Sequence, residues 1–161
     1  MSLFRKKKSI MPSSTFFYAA AFAALGRGLS DIKTIQIENG ASFEVMAIHA
    51  SVNLNVAVAA AAPKLARDGD TTYAGATNAS LSHVRIMVKQ NDRSWMSEPI
   101  RLDTIAGEPG KPFFLPVPIL VPGNTALSIT LYNDVPANIG GIAAASIDAQ
   151  IVLVGTKIQA G

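Results

Sequence analysis

His49 and His83 are the residues best suited to metal binding or proton transfer, and they stand far apart in the sequence. Neither belongs to an H-E-x-x-H helix or to any spacing that would bring two imidazoles onto one metal ion. The chain has no cysteine, which excludes thiolate ligands, disulfides and a Cys nucleophile. No serine occupies a G-x-S-x-G elbow, and no strand leads into a Walker A or G-x-G-x-x-G loop. Gly26-Arg27-Gly28 is a fragment of the last of these, without the third glycine or the preceding strand. Asp68-Gly69-Asp70 could offer carboxylates to Ca²⁺ or form a plain turn, and the rest of a calcium-loop spacing is missing. The sequence thus argues against an enzyme and offers no catalytic, cofactor-binding or metal-binding residue.

Contact is the chemistry that remains. Arg5-Lys6-Lys7-Lys8 is a run of four cations with no acid before Asp31. With four of the 14 Lys and Arg in this run, the rest of the chain holds 10 against 11 acids and is close to neutral. The run suits an acidic patch on a partner protein or a few phosphates, but it gives the body no nucleic-acid-binding face. Phe16, Phe17, Tyr18 and Phe22 follow in an apolar, Ala-rich stretch that has to be buried somewhere. Trp95 either anchors an interface, where Trp is enriched, or caps the edge of a fold while half-buried.

Residues 1–28 have the outline of a secretory signal, with a basic start, an apolar stretch from Phe16 to Leu25, and small residues before Gly26. Ten apolar residues are about half of the roughly 20 that a membrane span needs. The expectation carried forward is an arm over 1–32 containing a short helix, capped by Ser13 or Ser14 and stopped by Gly26 or Gly28. That helix would bury its rings on a neighbouring subunit. Deleting residues 1–28 is then expected to leave the remaining domain folded.

Beyond the arm the period is two. Thr34–Glu38 alternates and Asn39-Gly40 turns. Phe43, Val45 and Ala47 are expected on one face, with Glu44, Met46 and Ile48 on the other. Asn53–Val58, Val84–Val88, Ala126–Asn133 and Ser146–Lys157 read the same way. Residues 59–82, an Ala run followed by turn and charged residues, read as a long loop, or a loop with one weak strand near Thr71–Ala74, that could meet a partner. Five of the nine prolines fall between Gly107 and Asn124. Proline cannot donate to a ladder, so this stretch is an extended edge or a corner crossing. An apolar content of 49% with 16% charged residues excludes a disordered chain. Roughly eight strands with turn signals between them predict an all-β domain over 33–161, an antiparallel β-sandwich and most simply a jelly roll.

Several pieces of this order are similar to small β-sandwich virion proteins of tailed bacteriophages, of the capsid decoration or neck and collar type. They are Gln36-Ile37-Glu38-Asn39 before Ala41-Ser42-Phe43-Glu44-Val45, Trp95-Met96-Ser97-Glu98-Pro99-Ile100, and the Gly107–Pro118 run with Pro112-Phe113 and Leu115-Pro116-Val117-Pro118. Leu127–Asn133 and Ile151-Val152-Leu153-Val154-Gly155-Thr156-Lys157 complete them. The resemblance implies a virion location, capsid or neck subunits as partners, a homo-oligomer, no membrane and no cofactor. A decoration protein is favoured over a neck component, and nucleic acid could be met only through Arg5–Lys8. The rival from another class is a ligand- or carbohydrate-binding β-sandwich module, for which one Trp and three Tyr are little material.

Overall fold

A computed structural model describes residues 14–56, 83–107, 113–136, 138–139 and 142–159. The strands among them are β1 (Ser14–Gly26), β2 (Ser30–Gln36), β3 (Ala41–Val56), β4 (Val84–Gln90) and β5 (Arg93–Ser94), then β6 (Ile100–Arg101), β7 (Phe113–Val121), β8 (Ala126–Asn133), β9 (Asn138–Ile139) and β10 (Ile142–Gln159). They form two sheets in which every strand pair is antiparallel. One sheet has the order β1-β10-β3-β7, with β9 also on β10. The other has the order β2-β8-β4-β5, with β6 also on β4.

Alternation explains why these segments become strands. In β8, Leu127, Ile129 and Leu131 are buried while their neighbours are half-exposed. Val84, Ile86 and Val88 do the same in β4, and Ile147, Ala149, Ile151 and Leu153 in β10. Each sheet therefore turns an apolar face inward, and these two faces close on a single core. The Pro-rich stretch forms β7, which pairs only with β3 among the described residues and so lies on a sheet edge.

The expected helix is a strand. Residues 14–26 pair along β10 from Ser14 opposite Lys157 to Gly26 opposite Ser146, and their side chains alternate in and out. Phe16, Tyr18, Ala20 and Phe22 face the core, whereas Phe17, Ala19 and Ala21 face away. A segment that is apolar on both faces shows no clear period, and Ala favours a helix only until long-range pairing outweighs that preference. A boundary between 32 and 33 falls inside β2.

Ile48 also departs from expectation, because it is fully buried beside Val45. The register slips between Val45 and Ala47 against β7 and between Val154 and Gly155 against β10. Against β10, β3 advances two residues for one, a β-bulge that leaves Met46 exposed and turns Ile48 inward. Against β7 the same step spans Phe114 to Ile119, so the extra residues there, 115–118, are on β7. Residues 59–82 and Arg5–Lys8 lie outside the described residues.

Two features tie β1 into the domain. Asn133 is buried, and its Nδ2 donates to the Leu25 carbonyl at 2.8 Å while its Oδ1 accepts from the Val135 N–H at 3.0 Å. Its backbone also joins the β1–β2 turn through Gly28 and Leu29. Gly155, opposite Phe16 and Val45, leaves space for the Phe43 ring. A Cβ there would lie 2.0 Å from the Glu44 carbonyl oxygen and 3.0 Å from that ring. Gly155→Ala must therefore displace β3 backbone, and we expect a loss of about 3 kcal/mol or more in chemical denaturation.

Candidate functional site

The two outer faces of the sandwich differ in chemistry. On the β2-β8-β4 side the outward positions include Thr34, Ser128, Thr130, Arg85 and Lys89. Arg85 spans Asp134 with two hydrogen bonds, one of them Nη2 to Oδ1 at 3.1 Å, and lies 5.3 Å from the Tyr132 ring. The carboxylate holds that guanidinium even more firmly protonated than usual. Ile32, 59% exposed, and Met87 flank Thr130 on this face, so it mixes apolar with polar and charged residues.

The β1-β10-β3-β7 face is apolar in its middle. The register places Phe17 opposite Val154, Val154 opposite Ala47, and Ala47 opposite Phe114, a row that crosses all four strands. Phe17 is 58% exposed and Phe114 66%. Met46 and Leu120 are exposed on the same side. Ala19 and Val152 extend the row along β1 and β10. Phe17 and Phe114 thus stand exposed on either side of half-buried Val154 and fully buried Ala47, an apolar strip rather than isolated exposed residues.

The aromatic residues singled out in the sequence do not act together. Phe22 is buried in the chain's own core. The Tyr18 ring meets the Phe43 ring edge-on at 4.9 Å, and the Phe16 ring is 4.9 Å from that of Tyr18. The Lys157 ammonium sits 5.0 Å from the Phe16 ring centre and is ion-paired with Glu38. Three of the four rings thus complete their own domain, and Phe17 alone faces outward. Trp95, just after β5, is half-buried against the core, its indole N–H 3.4 Å from Gln90 Oε1. It lines an open cleft of about 380 Å³ with Arg93, Pro118 and Leu120.

The sheet edges form a second part of the site. An open strand edge pairs with other chains unless something prevents it. On β7, Pro116 and Pro118 remove two donors. The β5 and β6 strands are two residues long. On β2, Asp31 and Lys33 lie opposite the buried Leu131 and Ile129, and so point inward at the rim, 3.0 Å apart. The Lys33 ammonium holds the Asp31 carboxyl below its ordinary range. In contrast, β1 has no charge and no proline over its 13 residues, and among the described residues it pairs only with β10. Sequence reasoning missed this edge, although Phe16, Tyr18 and Phe22 at even spacing were the available signal.

Among the described residues no group of three or more His, Cys, Asp or Glu comes together, and no helix is long and apolar enough to cross a membrane. By fold the chain is an antiparallel β-sandwich with one apolar outer face. No family model, curated protein or solved structure matches it.

Proposed function

We propose that this chain is a non-enzymatic structural protein of a bacteriophage virion, a decoration protein that cements neighbouring capsid subunits. The observation that carries this reading is the pair of exposed rings Phe17 and Phe114, joined across the sheet by half-buried Val154 and buried Ala47, a surface suited to another protein rather than to water. The strand orders β1-β10-β3-β7 and β2-β8-β4-β5 support reading the sandwich as a jelly roll, since they are those of two interlocked Greek keys. Jelly rolls recur in viral capsid domains, which favours a place in a shell by analogy of fold. In a symmetric shell each copy adds weak contacts that avidity multiplies, so a shallow apolar row suffices. Arg5–Lys8 would add attraction to an acidic neighbour.

The test is immunogold labelling with antibody against the full-length chain, on purified phage particles whose genome encodes it. Label spread over the head is the expected result. Label confined to the neck would favour a collar component instead. Particles that package the gene but carry no label would overturn the virion reading.

A further inference from the structure

We infer that the edge of β1 left unpaired among the described residues pairs antiparallel with the same edge of a second copy of this chain, across a two-fold axis at Tyr18. The regular part of β1 runs from Ser14 to Phe22. After it the register breaks, Ala24 takes φ 50°, and its N–H turns to the Asp148 carboxylate at 2.7 Å. An antiparallel strand edge offers its free N–H and C=O groups in an order that its own two-fold copy complements. Full overlap of Ser14–Phe22 sets Tyr18 opposite Tyr18, Phe17 opposite Ala19, and Phe16 opposite Ala20.

This register has chemistry in its favour. Phe17 and Phe16 each fall beside an alanine, and at the axis, where Tyr18 meets Tyr18, each ring leans onto its own Phe43. The absence of charge in Ser14–Gly26 means that the two-fold brings no like charges together. An unrelated strand could use the same backbone edge, but a second copy satisfies each ring-to-alanine pairing twice. Growth then stops at two, because β7 at the far side of the same sheet carries Pro116 and Pro118. The result is one sheet running from β7 to β1 and back through the second copy to its β7. The two apolar rows become continuous across the axis. The inference holds whether or not the protein belongs to a virion.

Sedimentation velocity of the full chain should give twice the chain mass at micromolar concentration. Phe17→Lys with Ala19→Lys changes two exposed side chains and sets lysines directly opposite each other at both pairings. The dimer dissociation constant should rise about ten-fold or more, with the thermal transition retained. Phe17→Lys with Ala19→Glu sets opposite charges at the same pairings and should restore the dimer. Opposed residues have Cα atoms about 4.5–5.5 Å apart, within disulfide range. Since the chain has no cysteine, co-expressed Phe17→Cys and Ala19→Cys chains should cross-link to each other, and neither should cross-link alone. The cross-link also decides the matter if the double-lysine variant does not fold. A monomeric parent, a double-lysine dimer of parental affinity, or co-expressed cysteine chains that stay unlinked would each overturn the inference.

Discussion

A chain lacking residues 1–28 should show no cooperative thermal transition, whereas a chain lacking only residues 1–12 should melt like the parent. The longer deletion removes β1, which supplies Ala20, Phe22 and Leu25 to the core and sets Phe16 and Tyr18 against Phe43. It also uncovers the long edge of β10 and takes away the Leu25 carbonyl that accepts from buried Asn133. Truncating one buried Phe to Ala costs about 3–5 kcal/mol, against a total stability of about 5–15 kcal/mol for a domain. Losing Phe22, Leu25 and a ladder of backbone bonds together exceeds that margin. The shorter deletion removes no residue of the described core. Circular dichroism melting of the two truncated chains is the measurement. A parent-like transition without residues 1–28 would show that the second sheet closes the core without β1.

The same strand shows where the sequence stops being readable. A strand with one wet face displays its period, as Leu127, Ile129 and Leu131 do between Ser128, Thr130 and Tyr132. Both faces of β1 are apolar, because Phe17, Ala19 and Ala21 point outward where a wet strand would carry polar residues. The feature that makes β1 interesting for function is therefore the one that hid its structure. Its conformation is decided by β10, more than a hundred residues away in the chain, and no local pattern reports that partner. Alternation fails at Ile48 for another reason: a single bulged residue at Met46–Ala47 reverses every later side chain in the strand.

The contact surface was legible only in fragments. Phe17 stood out by composition, but Phe114 joins it through Val154 and Ala47, and that requires the register of three strand pairs. Trp95 was open to two readings, and it is half-buried while also lining a cleft. The guarded edges were more readable, since Pro116 and Pro118 carry their meaning in any context where a ladder is expected. The bare edge of β1 could be recognised only once its strand was known.

Ile151→Asp should abolish folding at neutral pH, whereas Val152→Asp, one residue along the same strand, should change stability by about 1 kcal/mol or less. Ile151 is fully buried at the centre of its sheet, opposite Ala20 on β1 and Ala50 on β3. Those neighbours are small and apolar and offer no side-chain donor, so an ionised carboxylate there would be unpaired. Such a group stays protonated in the fold, with its pKa raised above the unfolded value of about 3.9. The folded state then binds more protons than the unfolded one, and stability falls as pH rises through that value until the folded group also ionises. The Ile151→Asp chain should consequently retain more structure near pH 3 than at pH 7, opposite to ordinary acid denaturation. Val152 lies on the outer face opposite Ala19 and His49, where a carboxylate can reach water. Denaturant titration of both variants at the two pH values separates the faces. Equal tolerance of Asp at 151 and 152 would mean that β10 does not present alternate faces to core and solvent, and the register that aligns Phe17 with Phe114 would fall with it.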